Sequence, residues 1–154
     1  EMNTIVEFGG GYGAMASVIH NLGFSGRYIM YDVPEFSLLQ NYYLDNTGKR
    51  GINYRHIYLQ SDGAYGFYTA EEDVDLLIGC YSLSEVPKDL RDSFFDTACA
   101  DSCLIAHQST FGGVDLESEF VEFMNERPYY KWKVGVEKYQ ADMRRWYIVG
   151  VSHE

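Results

Sequence analysis

Short apolar runs alternate with stretches of helical spacing from one end of the chain to the other. Residues 4–8 form an apolar run stopped by Gly9, Gly10 and Gly11, after which residues 14–22 carry apolar side chains at helical spacing up to Gly23. This predicts a strand, a glycine turn and a helix. Residues 27–31 predict a second strand ending at Asp32, and Pro34, tolerated in a first helical turn, leads a helix over 35–44 that closes at the turn 46–48. Residues 53–59 alternate like a third strand, while the Gly- and Tyr-rich stretch 61–68 reads as loop or weak helix. A buried-type strand over 74–80, a helix from Pro87 to about Ala100 and a fifth strand over 103–107 continue the alternation. A helix over 115–127 stops at Pro128, and two strands, 130–136 and 144–151, follow with so little between them that they are expected to pair antiparallel.

Five strands with helices between them and a closing pair describe an α/β, doubly wound, Rossmann-like sheet of seven strands, mostly parallel, with an antiparallel final strand. No Pro/Ser-rich linker, low-complexity tract or repeat interrupts residues 1–154, which are expected to be a single domain. With 46% hydrophobic and 16% aromatic residues against 23% charged, the 154-residue chain has ample material for one core. It opens at Glu1 without an initiator methionine and enters a strand almost at once, so an upstream N-terminal segment is expected to precede it.

Charge narrows the choice of partner. Lys and Arg number 12 against 23 Asp and Glu, a net charge of −11 that repels a phosphate backbone, so nucleic acid is not the expected substrate. Cys80, Cys99 and Cys103 leave an odd thiol with no C-x-x-C spacing, which fits a reducing, cytoplasmic setting. No apolar run approaches the roughly 20 residues of a membrane span, so no membrane partner is expected. The oligomeric state cannot be read from the chain.

Chemistry concentrates at the first strand-to-helix junction, where Glu7-Phe8-Gly9-Gly10-Gly11-Tyr12-Gly13 has the pattern E-x-G-x-G-x-G. Glycines let the backbone turn sharply and approach a ligand, and the helix that follows offers free N–H groups to an anion. From Gly9 through Gly11 to Ala14 the same run also fits the dinucleotide fingerprint G-x-G-x-x-A, and spacing alone does not choose. Glu7 favours a cationic ligand, because a carboxylate there sits poorly beside a pyrophosphate and well beside an ammonium. Asp32, at the end of the second strand, is placed to accept hydrogen bonds from both hydroxyls of a ribose, or else to cap the helix led by Pro34. Asp62 after the third strand reads either as a contact to an adenine edge or as the turn residue of Asp-Gly.

These residues carry a resemblance. The runs IVEFGGGYG, YIMYDVPEFSLLQNYYL and DLLIGCYSLSEVP resemble the class I S-adenosylmethionine-dependent methyltransferases over essentially the whole chain. Within them, GGGYG with D-x-P-E and a following Leu-Gln-x-Tyr-Tyr-Leu helix is similar to bacterial sugar O-methyltransferases. The resemblance implies S-adenosylmethionine as cofactor and a small-molecule hydroxyl, such as one of a sugar, as acceptor. It implies that Glu7 and the loop containing Gly9, Gly11 and Gly13 hold the methionine part and that Asp32 holds the ribose. It further implies that Ser61 and Asp62 lie against adenine, and that Gly79, Cys80 and Tyr81 approach the sulfonium.

A sulfonium already activates its methyl group, so such an enzyme mainly aligns an acceptor oxygen and excludes water, with a general base to take the hydroxyl proton. His107, at the carboxyl end of the fifth strand, and Glu85, after the fourth, are the candidate bases, both on the edge where open α/β sheets bind ligands. Each also has a plain structural reading, a backbone hydrogen bond for His107 and a helix-dipole contact for Glu85. His20, within a helix, and His56, within a strand, are read as structural. No H-E-x-x-H or EF-hand spacing assigns a metal, and most acidic residues are read as solvated surface, with assistance by a divalent ion left open. The pairs Tyr42-Tyr43 and Tyr129-Tyr130 either stack on a sugar or straddle core and surface. Two other readings compete: an NAD(P)-dependent oxidoreductase, and a non-catalytic cofactor-binding or scaffolding domain of the same fold.

Overall fold

A computed structural model of the chain describes residues 2–59, 65–67, 73–140 and 143–153. Strand β1 (Thr4–Phe8) leads through the glycine loop into α1 (Ala14–Asn21), and β2 (Arg27–Asp32) leads into α2 (Pro34–Asn46), with Pro34 as its first residue. Strand β3 (Ile52–Leu59) is followed by the three-residue β4 (Tyr65–Phe67), and β5 (Leu76–Cys80) by one turn of 3₁₀ helix and α3 (Lys88–Ala98). After β6 (Ser102–Gln108) comes a small ribbon, β7 (Thr110–Phe111) and β8 (Val114–Asp115), then α4 (Leu116–Asn125). Two long strands, β9 (Tyr130–Gln140) and β10 (Met143–Ser152), close the chain.

The main sheet has the order β4-β3-β2-β1-β5-β6-β10-β9. Strands β3, β2, β1, β5 and β6 run parallel, and β10 inserts antiparallel between β6 and β9. The doubly wound expectation therefore holds, with the reversed final strand one position in from the edge. The stretch read as loop or weak helix contributes β4, which pairs antiparallel with Ile57 to Leu59. Three residues are too few to show a period, and the pairing that makes them a strand is a tertiary one. The β7–β8 ribbon was also not expected. Gly112 and Gly113, at φ of 58° and 86°, supply the two left-handed positions that a tight hairpin requires. Asp115 then caps α4 rather than opening it, its carboxylate accepting from the N–H groups of Glu117 and Ser118.

Alternation along the strands feeds two cores. Ile5, Tyr28, Met30 and Ile78 pack with Ala16 of α1 and Leu44 of α2 on one face. Val6, Phe8, Ile29 and Leu77 pack with Phe94 and Phe95 of α3 and Phe120 and Phe123 of α4 on the other. The α3–α4 layer also buries two cations. Arg91, with no exposed surface, donates to Glu119 at 3.0 Å and lies over the Phe120 ring. Arg127 grips both oxygens of Asp96 at 2.8 and 2.9 Å, and its guanidinium sits 4.0 Å from the Phe123 ring centre. Asp96 and Glu119 are thus partners of buried cations, not simply solvated charge.

Because β2 and β5 lie on opposite sides of β1, the connections leaving β1 and β5 part in opposite directions, opening a crevice at the carboxyl ends of these strands. Phe94 holds α3 over that region, its ring edge-on to Phe8 at 4.7 Å and to Tyr31 at 5.0 Å. We expect Phe94→Ala to lower unfolding free energy by about 3–5 kcal/mol in urea denaturation. A loss below about 1 kcal/mol would show that α3 repacks without this ring.

Candidate functional site

The loop after β1 is fixed from two sides. Gly9, at φ +68°, donates its N–H to the Tyr31 carbonyl at 2.7 Å, and its own carbonyl accepts from Ser82 Oγ at 2.8 Å. A Cβ at position 9 would lie 2.1 Å from Cβ of Ser82, so the loops after β1 and β5 meet this closely only with glycine there. Gly13, at φ +97°, caps α1 without any side-chain hydrogen bond.

Glu7 points from β1 into the α1–α2 face and is 3% exposed. Its Oε2 accepts from the Tyr28 hydroxyl at 2.8 Å. Burial, opposed by that hydrogen bond and reinforced by the Asp32 charge, pushes its carboxyl up to about 7 from an ordinary 4.5. Asp32, 8% exposed, ends β2 with Oδ1 accepting from the Val33 N–H at 2.9 Å and Oδ2 accepting from Gln40 Nε2 at 2.7 Å. Burial raises its carboxyl too, and hydrogen bonds from Val33, Gln40 and Gly11 oppose the shift.

A cleft of about 440 Å³, within the usual range for small-molecule sites, opens where these elements meet. Gly9 and Gly11, Asp32 and Phe36, and Ser82 and Glu85 line it, over a floor that includes Phe8 and Leu90. Five of the residues proposed from sequence are thus brought together: Gly9, Gly11, Asp32 and Glu85 at the cleft wall, with Glu7 buried behind the loop. Ser61 and Asp62 lie outside the described residues.

The segment after β5 differs in detail from the expectation. Gly79, Cys80 and Tyr81 are not among the lining residues, and Ser82 is. Gly79 serves packing, since a Cβ there would lie 2.7 Å from Cδ2 of Leu83. Burial pushes the Cys80 thiol up to about 11, with the charge of Glu7 adding to the shift. Tyr81 adopts φ 67° and ψ −54°, a conformation that costs a non-glycine residue on the order of 1–3 kcal/mol. Its N–H donates to Ala106 O at 2.7 Å, and its carbonyl accepts from Ser84 N at 2.9 Å and Ser84 Oγ at 2.5 Å. This sharp turn is what delivers Ser82 to the cleft.

The two base candidates separate. Glu85 is exposed at the cleft, its Oε1 accepting from Gln108 Nε2 at 3.3 Å. His107 is 1% exposed, with its ring stacked 4.3 Å from Phe120 and 6.0 Å from Trp146. Its Nδ1 lies 2.8 Å from the Gln108 carbonyl oxygen, which places the proton on Nδ1, and burial lowers its pKa. It lines no part of the cleft. The position at the end of β6 was legible, but the stacked ring is a product of α4 and β10 closing over it.

Tyr130 is core, its hydroxyl donating to Ala100 O, while Tyr129 is exposed. Tyr42 is exposed, and Tyr43 packs edge-on to Tyr12 at 5.0 Å. His20 bonds the Ala16 carbonyl within α1, and His56 lies 3.4 Å from Ser37 Oγ, as structural readings require. Tyr28, Gln40, Phe36 and Ser82 are site residues that the sequence reading did not single out.

Between about 4.5 and about 7 the folded chain keeps a proton on Glu7 that the unfolded chain has released, so stability falls as pH rises through this window and stays low above it. The fall is on the order of 3 kcal/mol. Glu7→Gln, whose amide oxygen still accepts from Tyr28, should flatten the slope and be more stable than the parent near pH 8 in urea unfolding. Identical slopes in the two proteins would sink this assignment.

No protein-family model matches the chain, and no curated protein matches it. Solved structures do. The precorrin-6y C5,15-methyltransferase from Geobacter metallireducens GS-15 aligns with a TM-score of 0.68 at 12% identity, over 99% of this chain and 82% of that one. TrmK of M. capricolum, in complex with S-adenosyl-homocysteine, aligns with a TM-score of 0.69 at 10% identity, over 100% of this chain and 64% of that one. EvdMO1 aligns with a TM-score of 0.71 at 13% identity over 98% of this chain, which spans 37% of the EvdMO1 chain. With its parallel sheet, its inserted antiparallel final strand and helices on both faces, the chain shares the Rossmann-like fold of these structures, the precorrin-6y C5,15-methyltransferase among them.

Proposed function

We propose that the chain is a methyltransferase that uses S-adenosylmethionine and methylates a hydroxyl of a sugar or related small metabolite. The observation that carries this reading is the convergence of Gly9, Gly11 and Asp32 on one cleft at the order reversal of the sheet, with Glu7 buried behind the loop. The residues present fit the cofactor. Asp32 accepts from Val33, Gln40 and Gly11 and keeps lone-pair capacity for a ribose hydroxyl. The Glu7 carboxyl, held near 7 by burial, regains its charge when a cation comes close. The close-set glycine loop leaves no side chain between backbone and ligand.

Bound there, S-adenosylmethionine supplies an activated methyl group. The chain's own task is then to orient the acceptor, exclude water and remove a proton. Glu85 is the base in this reading, since it lines the cleft and is steadied by Gln108. His107 acts behind it, its Nδ1–H holding the Gln108 backbone. The net charge of −11 supports a small acceptor over nucleic acid, and the sugar assignment is supported by the sequence resemblance.

Calorimetric titration with S-adenosylmethionine, S-adenosylhomocysteine and NAD tests the cofactor. We expect the first two to bind and NAD not to, and binding of NAD alone would overturn the reading. Asp32→Ala should weaken S-adenosylmethionine by about tenfold or more, the value of a charged hydrogen bond. Glu85→Gln should reduce methyl transfer to a hydroxyl acceptor by about 10²–10⁴ with cofactor affinity within about threefold of the parent. Turnover unchanged by that substitution would remove Glu85 as the base.

A further inference from the structure

One buried side chain joins the two halves of the proposed cofactor site. Gln40, in α2, has no exposed surface, and its Nε2 donates both to Asp32 Oδ2 at 2.7 Å and to the Gly11 carbonyl at 2.9 Å. Turning the amide over would set its oxygen against a carbonyl and a carboxylate, so the orientation is determined by its partners. Both amide hydrogens are therefore committed. Oε1 is buried without a hydrogen-bond partner among the described residues, at a cost of about 1–3 kcal/mol. Leu or Met would remove that cost but would leave the buried Asp32 oxygen and the Gly11 carbonyl without their donor. What accounts for the amide is the pair of acceptors it connects.

The same face of α2 carries Leu44, one turn on from Gln40. Leu44 packs so closely on Gly13 that a Cβ there would come within 2.8 Å of Cδ1. Helix α2 thus braces the loop twice, at Gly11 through a hydrogen bond and at Gly13 through packing. Asp32 in turn is faced by the Val33 N–H beside it, by the Gly11 N–H from the loop, by the Gln40 amide from α2 and by the negative charge of Glu7 from β1.

We infer that Gln40 is a positioning residue that locks the Asp32 carboxylate and the glycine loop into one preformed unit, so that the ribose and methionine contacts of the cofactor are made together. This rests on the S-adenosylmethionine reading above. Two consequences follow from the geometry. Without the amide, the Gly11 carbonyl loses its tie to α2 and the loop opens more readily. The Asp32 carboxylate also loses a donor that favours its charged form, so the acid limb of cofactor binding moves to higher pH.

The test uses the full chain in two arms. In the ligand-free protein, hydrogen exchange at residues 9–13 should become about tenfold or more faster in Gln40→Leu, beyond any change at the core strands β1 and β5. In calorimetry, Gln40→Leu should bind S-adenosylmethionine about tenfold more weakly, and the deficit relative to the parent should widen as pH falls and Asp32 takes up a proton earlier than in the parent. A purely structural role would not produce that pH-dependent gap. If Gln40→Leu does not fold, Gln40→Met, of similar length but lacking the amide hydrogens, carries both arms. Loop exchange unchanged from the parent, or affinity within about threefold of it at every pH, overturns the inference. If the parent itself fails to bind S-adenosylmethionine, the cofactor reading falls, and the exchange arm still decides whether Gln40 locks the loop.

Discussion

At the centre of the structure two backbone turns touch. The Gly9 carbonyl accepts from Ser82, and a Cβ at position 9 would sit 2.1 Å from that of Ser82, so the loops after β1 and β5 are in contact through a space that admits only hydrogen. These are the loops that diverge at the order reversal of the sheet. Their contact sets how the crevice begins, and Asp32 at the end of neighbouring β2 and Glu85 beyond Ser82 take their places along it. The turn at Tyr81 is the other half of the same constraint, since its unusual backbone is what brings Ser82 to the meeting point.

Local costs gather around this contact. Glu7 is a carboxyl buried to the point of holding a proton near neutrality, Gln40 keeps an unpartnered acceptor, and Tyr81 holds a strained conformation. Each is the kind of departure from local preference that binding sites retain. The α3–α4 layer shows the opposite pattern. Its buried charges, Arg91 and Arg127, each have a carboxylate partner and an aromatic face, and the rings of Phe94, Phe95, Phe120 and Phe123 fill the space around them. Stability from that half of the molecule offsets the costs in the other, because the sheet between them is shared.

Helix α2 links the two regions of the site. It begins at Pro34, just past Asp32, and returns along the sheet so that Gln40 and Leu44 reach the loop that follows β1. A carboxylate and a loop from different strands are thereby held by successive turns of one helix. The same packing bears on how Glu7 and Asp32, two acids in one small volume, coexist: burial raises both, and at Asp32 three donors, Val33, Gln40 and Gly11, oppose the shift.

Much of the fold was legible in the chain, because the parallel strands and their helices rest on periodicity and on glycine and proline punctuation, which are local properties. Thr4–Phe8, the glycine loop, Asp32 before Pro34 and the closing antiparallel pair all came from such signals. The short β4 did not, because three residues become a strand only by pairing with β3, and the β7–β8 ribbon was missed although Gly112-Gly113 was its signal. For the site, sequence pointed to Gly9, Gly11, Asp32 and Glu85, which line the cleft, and to Glu7, which is buried behind the loop. Only the tertiary structure decided that His107 is stacked away beneath Trp146 and Phe120, that Ser82 stands at the cleft ahead of Gly79, Cys80 and Tyr81, and that Gln40 bridges Asp32 to Gly11. The reason is physical: the spacing of a motif is written along one segment, whereas burial, and the partner a buried polar group finds, depend on segments far apart in the chain.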